Sequence, residues 1–378
     1  MPISAGTTAG RRALPPVVLR GGRVLSPSSR DASSLAFDTN GISWIGQDAP
    51  AGALFPDSAR VDAENAWIAP PFVERTAGTD AGPGSGPDRD AASRGVLLLT
   101  AEEPIPTDRA LAALEEASTG RTLFALRSNG ATGDLDAAMK VLAAEEEKLG
   151  RVALAGRSPS ISGLAAEELA ALSAAGADND GAVSDEARLA ELARLGVTLV
   201  LDPLSGGIAG VDLIALTSSG VPLACACRDA QGEYRPWDAV AVLAGSERAG
   251  TGAPARPLSP RAAFTAATRG AARAIAGQHS ELGVLRPGAP STLAMWRTGE
   301  LVARAADDAV QRWSTDPRSG VPPMPDLDGP APDCLALVEG GELSFTAGPL
   351  SGEADGAGSP TGSDGSDSSG RAHEDGRE

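Results

Sequence analysis

From residue 95 to residue 277, short apolar runs alternate with longer segments of helical periodicity, and this alternation limits the fold more than any other feature. The runs that predict strands are residues 96–99, 122–126, 152–155, 197–201 and 221–226. The segments that predict helices are residues 108–117, 135–149, 164–175 and 186–195. Such alternation is typical of a parallel sheet whose strands are joined by crossover helices.

The strand count bounds the architecture. With the apolar run 67–73 there are six strand candidates, whereas a closed (β/α)8 barrel has eight strands and usually about 250 residues. Residues 77–94 are rich in Gly, Pro and Asp and show no periodicity, which predicts a loop. We therefore predict an α/β fold with a TIM-barrel-like (β/α)8 domain, and the count leaves its closure open.

The N-terminal part predicts a small β-domain. Apolar runs at 17–25, 34–37 and 42–46 are interrupted by turn signals, and Asn40 followed by Gly41 predicts a type I′ hairpin. We predict a flexible N-terminus over 1–15, a composite β-domain from 16–66 and 283–348, and a barrel-like domain over 67–282. Residues 349–378 are acidic and rich in Gly and Ser, which predicts a disordered tail.

Composition limits the compartment and the partners. The chain has 42% hydrophobic and 22% charged residues, as is usual for soluble globular proteins. A net charge of −18 argues against nucleic acid and membrane surfaces as partners. An apolar run long enough to span a bilayer is missing, as is the apolar core of a signal peptide. Three cysteines do not make a disulfide framework, so we expect a cytoplasmic protein.

Segments near both ends of residues 17–345 resemble the metal-dependent amidohydrolases. The segment Val-Asp-Ala-Glu-Asn-Ala-Trp-Ile-Ala-Pro-Pro-Phe-Val-Glu at 61–74 is similar to their entry into the first barrel strand, V-x-P-G-F-V-D-x-H-x-H. Residues 258–268 and 282–288 resemble their last barrel helix and the return to the β-domain, and 310–318 resembles bacterial members of the amidohydrolase 3, formamide-deformylase-like branch. The resemblance implies hydrolysis of non-peptide C–N bonds with zinc or another divalent metal.

The chain departs from that family at the metal-ligand positions. An ungapped alignment places there residues that are poor zinc ligands: Thr76, Gly78, Ala125, Leu154 and Arg228. The chain has two histidines, His279 and His373, and both lie outside these positions. A shift of one residue would bring Asp229 to the catalytic carboxylate position. We therefore expect a degenerate member, a pseudoenzyme without a cofactor.

Four arginines follow predicted strands and define a candidate anion site. They are Arg75, Arg127, Arg157 and Arg228. In a barrel the carboxyl ends of the strands surround one pocket, and guanidinium groups suit carboxylate or phosphate ligands. The hypothesis is a site that binds a small anion without turning it over, and the alternative is four solvated loop arginines.

Other candidates carry weaker signals. The carboxylates of Glu74, Glu102, Glu103, Asp202 and Asp229 lie near strand ends and are interpreted either as a Mg²⁺ or proton-sharing cluster or, more simply, as helix caps and ion-pair partners. Cys225 and Cys227 form a C-x-C pair that we interpret as core cysteines rather than as ligands of a soft metal. Residues 205–210, rich in glycine, form at best a weak anion loop.

Three functions remain open on the sequence alone. The first is an amidohydrolase-family protein with impaired catalysis that binds at most a small anionic ligand. The second is an active C–N hydrolase with an atypical metal site. The third is a structural or regulatory protein that forms a homo- or hetero-oligomer with an active amidohydrolase paralogue.

Overall fold

The computed structural model describes ten stretches of the chain: residues 16–76, 88–101, 103–115, 125–131, 133–174, 185–247, 252–276, 281–302, 323–348 and 352–353. Several predictions lie outside these stretches, namely the flexible N-terminus, most of the acidic tail, Gly78, Glu102, His279 and His373. None of the helices in the described stretches is long and apolar enough to cross a membrane.

The N-terminal segment is mostly strand. Its elements are β1 (Val17–Arg20), β2 (Arg23–Val24), β3 (Ser34–Asp38), β4 (Gly41–Gly46), α1 (Asp48–Leu54), β5 (Ala59–Asp62) and β6 (Trp67–Ala69). The predicted hairpin is confirmed, since β3 and β4 pair antiparallel with Asp38 opposite Gly41. Its turn is not type I′, because Thr39 and Asn40 occupy the central positions and neither has a positive φ.

Parallel strands and helices then alternate, as predicted. The elements are β7 (Phe72–Thr76), α2 (Arg89–Ser93), β8 (Val96–Thr100), β9 (Ile105–Pro106), α3 (Thr107–Glu115), β10 (Ala125–Arg127), α4 (Asp134–Leu149), α5 (Arg151–Gly156), β11 (Ser160–Ser162), α6 (Ala166–Ser173), α7 (Asp185–Leu195), β12 (Thr198–Leu201), α8 (Leu213–Ser218), β13 (Leu223–Cys225) and α9 (Pro236–Leu243). The strands form two parallel sheets, β7-β8 and β9-β10-β11-β12-β13.

Two strand predictions are corrected. The run 67–73 is not one strand, because Pro70 and Pro71 divide it into β6 and β7, which belong to different sheets. The run 152–155 lies in helix α5, where Leu154 is buried and Val152 is 87% exposed. The strand that joins the sheet at this point is β11, four residues after α5.

The C-terminal part begins with a continuous helix and ends in strands. The helix consists of α10 (Pro260–Thr265), a π-helical turn (Ala266–Gly270) and α11 (Ala271–Ala276). The strands are β14 (Leu293–Arg297), β15 (Leu301–Val302), β16 (Met324–Pro325), β17 (Asp333–Glu339), β18 (Glu342–Thr346) and β19 (Gly352–Glu353).

The β-domain is made from strands of both parts of the chain. One sheet has the order β19-β5-β1-β3-β4 and the other the order β18-β17-β14-β6-β2. Between them lies a core that includes Leu35, Ile68, Leu293 and Met295, all almost fully buried. The α/β class with parallel strands and a separate β-domain is thereby confirmed, whereas the predicted domain bounds stay a prediction.

The helix 260–276 spans the edges of the two parallel sheets. No ladder joins β7 to β13 among the residues that the structure describes. Instead, Val73 of β7 packs against Ala271 and Ala272 of α11, and Gly270 lies against the backbone of Leu223 in β13. Glycine is required here because a Cβ atom at position 270 would overlap the carbonyl oxygen of Leu223.

We predict that Gly270→Ala destabilises the protein by about 1–3 kcal/mol, because the helix must move away from β13. Alanine normally stabilises a helix relative to glycine by about 1 kcal/mol, so the sign of the change identifies the close approach. Gly299→Ala is the matched control, since a Cβ atom there meets nothing within 4 Å. Urea unfolding of both variants measures the effect, and an unchanged or raised stability of G270A would contradict it.

Candidate functional site

The parallel strands β10, β11 and β12 have one apolar and one polar face. Residues paired between parallel strands point to the same side, which places Leu126, Ile161 and Leu199 on one face, buried in the main core with the helices. The opposite face carries Arg127, Ser160, Ser162 and Thr198. This polar face, with the carboxyl ends of β7, β12 and β13, forms the candidate site.

Glu74 of β7 connects the first and last parallel strands. Its Oε2 accepts a hydrogen bond of 2.8 Å from the backbone N–H of Cys227, just after β13, and its Oε1 accepts one of 3.2 Å from the N–H of Arg75. Burial raises the pKa of Glu74, and the negative charge of Asp202 acts in the same direction, whereas Arg228 opposes it. Both carboxylate oxygens of Glu74 are therefore engaged with backbone amides.

The loop after β13 turns back on itself. Arg228 and Tyr234 form an isolated antiparallel bridge, the Arg228 guanidinium donates to the Tyr234 hydroxyl, and its central carbon lies 4.4 Å from the centre of the ring. Asp229 stabilises the turn, because its Oδ1 accepts hydrogen bonds of 2.9 Å from the N–H groups of Gln231 and Glu233. The carboxylate predicted as a catalytic candidate is thus bonded within its own loop.

Among the carboxylates of the candidate site, Asp202 has a buried oxygen without a hydrogen-bond partner. It follows β12, and its Oδ1 is buried without a hydrogen-bond partner. The Oγ1 of Thr198, four residues earlier on the same strand, is also buried and unpaired. Buried polar atoms usually have a partner, so each of these two atoms, one at either end of β12, identifies a place where water or a ligand group fits.

Cys225 and Cys227 are buried free cysteines, as expected for core residues. A hydrogen bond with the Cys225 side chain, together with burial and the nearby Glu74, raises the pKa of the Cys227 thiol well above its ordinary value. A thiol in this state is a poor nucleophile and a poor metal ligand, because both roles require the thiolate.

The structure separates the four predicted anion-binding arginines. Arg75 lies on the face of β7 opposite Glu74 and donates to the carbonyl oxygen of Ala274 in α11. Arg157 directly follows helix α5, so the prediction that it follows a strand is wrong. Arg127 is exposed at the end of β10, and Arg228 is held by Tyr234. A shared pocket of all four receives no support from these placements.

The predicted metal-ligand positions lie partly on strands and partly on a helix. Thr76 ends β7 and Ala125 begins β10, whereas Leu154 lies on helix α5 and is fully buried. Sequence reasoning missed Tyr234, the one tyrosine of the chain. Its importance depends on the fold of the loop after β13, and the local sequence contains no signal for it.

Comparisons with known proteins find solved structures of similar fold. No family model and no curated protein matches the sequence. Similar solved structures include an amidohydrolase from an environmental sample of the Sargasso Sea (14% identity, TM-score 0.49, covering 88% of this chain and 93% of that one). A triazine hydrolase variant (14%, 0.47, 88% and 96%) and Escherichia coli guanine deaminase (11%, 0.47, 89% and 100%) are also similar. The similarity between this chain and these structures is one of fold.

The expectation that no cofactor is needed is wrong, because the amidohydrolases that this structure resembles are metal-dependent. The described residues themselves do not fit a catalytic metal. They include no group of three or more His, Cys, Asp or Glu side chains that could hold an ion, whereas catalytic zinc usually has three protein ligands. Glu74 and Asp229 are bonded to backbone amides, which leaves Asp202, whose buried Oδ1 has no partner in the described part of the chain.

We predict that Glu74→Gln gains stability relative to the wild type as the pH rises. The pKa of Glu74 is raised above its ordinary value of 4.5. Ionisation therefore disfavours the folded state, and this cost develops as the pH increases from 4.5 through the raised pKa. Glutamine keeps an oxygen for the Cys227 N–H but carries no charge.

Chemical denaturation of both proteins at several pH values between about 5 and 8 measures this difference. Glu167→Gln, an exposed position on α6, is the control. A stability difference between E74Q and wild type that does not change with pH would show that the carboxylate ionises in the folded protein as it does in water.

Proposed function

We propose that this chain is an amidohydrolase-type protein in which hydrolysis of non-peptide C–N bonds is impaired. The observation that carries the proposal is the hydrogen bond from the Cys227 N–H to Glu74, which uses the carboxylate of a β7 residue to hold β7 to β13. A general base or metal ligand must offer its lone pairs to substrate, water or metal. The Glu74 carboxylate instead accepts hydrogen bonds from two amides.

The neighbouring groups support the same proposal. Asp229 stabilises its own turn, and Arg228 pairs with Tyr234. Arg75 faces α11 rather than the polar face. The charged side chains at the ends of β7 and β13 are thus part of the structure that holds these strands, and their reorganisation would be needed before they could act on a substrate.

An active hydrolase with an atypical site is the second candidate, and Asp202 is the observation that favours it. Its unpaired Oδ1 is close enough to Glu74 to raise that carboxyl's pKa. Two neighbouring carboxyl groups are a familiar acid and base pair. A role as partner of an active paralogue stays a prediction from the resemblance alone.

Activity assays on the full chain test the proposal. The protein is reconstituted in turn with Zn²⁺, Mn²⁺ and Fe²⁺ and offered formamides, ureas, cyclic amides and aminated heterocycles. We expect turnover at least about a thousandfold below the typical enzymatic value of about 10 per second. Turnover near that value, abolished by a chelator and restored by a metal, would overturn the proposal in favour of the second candidate.

Asp202→Asn separates the two candidates at one residue. If Asp202 has no catalytic role, replacing this half-buried carboxylate by an amide should change stability by no more than about 1 kcal/mol, because its buried Oδ1 has no hydrogen bond to lose. Any residual turnover should stay unchanged. If Asp202 is a catalytic base, turnover should fall by about 100-fold or more. Urea unfolding and the assays above measure both quantities, with Asp212→Asn as a control that keeps a helix-capping oxygen but removes the ion pair with Arg256.

A further inference from the structure

A cavity in the β-domain lies beside strand β2, the segment 30–33 and the strand pair β15-β16. Its volume is about 310 Å³, at the lower end of the range for small-molecule sites. Its lining is more apolar than polar, and three apolar residues in it keep part of their surface exposed: Leu25, Leu301 and Pro323. The cavity therefore offers accessible apolar surface to a ligand.

Arg23 of β2 places a half-buried guanidinium on the wall of this cavity. Its Nε donates a hydrogen bond of 3.2 Å to the carbonyl oxygen of Asn65, and its Nη2 donates one of 2.9 Å to the Oγ1 of Thr298. Within the described residues Nη1 makes no hydrogen bond, and it is not among the unpaired atoms that are closed to solvent. Both N–H groups of Nη1 are therefore open to a ligand.

No acidic side chain neutralises Arg23 in the part of the chain that the structure describes. Burial lowers the pKa of its guanidinium, and no described carboxylate offsets that shift. Arg30 and Asp31 also line the cavity, and because both are exposed and opposite in sign, they leave Arg23 as its net charge. By contrast, the following arginines form ion pairs with carboxylates: Arg188, Arg194, Arg235, Arg256 and Arg286.

We propose that this cavity binds a small aliphatic monocarboxylate. The carboxylate accepts charge-assisted hydrogen bonds from Nη1 of Arg23, which supplies the counter-charge that this guanidinium lacks. The alkyl chain packs against Leu25, Leu301 and Pro323. A second negative charge on the ligand is disfavoured by Asp31. The site shares no residue with the polar face of the parallel strands, so it does not depend on the proposed loss of hydrolysis.

Hexanoate is the probe, titrated into the full chain by calorimetry. A salt concentration of about 0.15 M screens the net charge of −18 that the whole chain carries. We expect saturable heat with a dissociation constant below about 10 mM. Hexanamide and hexylammonium lack the negative charge and acetate lacks the alkyl chain, so each should bind at least about tenfold more weakly. Binding of any of the three as strong as that of hexanoate would overturn the proposal, as would no saturable heat with hexanoate at about 10 mM.

Variants locate the site. Arg23→Gln should weaken hexanoate binding at least about tenfold. Arg60→Gln is the matched control, because Arg60 is a half-buried arginine of β5 outside the cavity, and its loss should leave the affinity unchanged. Leu301→Ala should weaken hexanoate more than acetate. Urea unfolding confirms that each variant folds, and the ligand series on the wild type decides the question if R23Q does not. If R23Q binds as wild type does, or if R60Q loses as much affinity as R23Q, the proposal is wrong.

Discussion

The hydrogen bond between the Cys227 N–H and the Glu74 carboxylate determines how the parallel region ends. β7 and β13 are the first and last of its strands, and the described residues form no ladder between them. A side chain therefore supplies the connection that a backbone carbonyl would supply in a continuous sheet. Burial raises the pKa of this carboxyl, while the amide hydrogen bonds partly offset that cost. The Glu74 carboxylate thus links two strands, whereas in active sites a carboxylate often takes part in the reaction.

The helix 260–276 completes this connection by packing. It approaches β13 through Gly270 and β7 through Ala271 and Ala272, and Arg75 donates to the carbonyl oxygen of Ala274. Small residues allow the close approach of the helix to the strands. The Arg75 side chain is directed to the helix rather than to solvent or a ligand. Polar groups at the strand ends and apolar groups on the helix thus hold the same edge, which explains why few of those polar groups remain available.

Aromatic rings join the β-domain to the α/β part of the molecule. Trp67, Phe72, Trp237, Phe264 and Trp296 make seven ring contacts with centroids 5.1–5.9 Å apart. Each contact of this kind contributes about 0.5–1.5 kcal/mol beyond burial, and each unpaired indole N–H costs about 1–3 kcal/mol. The ring contacts outweigh the two unpaired donors. The junction can therefore leave those two donors unpaired and remain stable.

Periodicity predicted the elements whose two faces differ clearly, and failed where they do not. Helices α4 and α7 and strand β12 lie where predicted because their buried apolar residues recur at regular spacing. A run of four apolar residues fits a strand or one turn of helix equally well, and α5 is the helical case.

Strand β11 was not predicted because Ile161 is its one apolar residue. Its other side chains belong to the polar face. For the same reason the site is difficult to find in the sequence. Residues of the polar face interrupt the apolar runs by which strands are recognised. The anion hypothesis shows the consequence, because Arg157 entered it only through the misplaced strand. Tyr234 reaches Arg228 through the return of a loop, a contact that depends on tertiary structure and leaves no trace in local sequence.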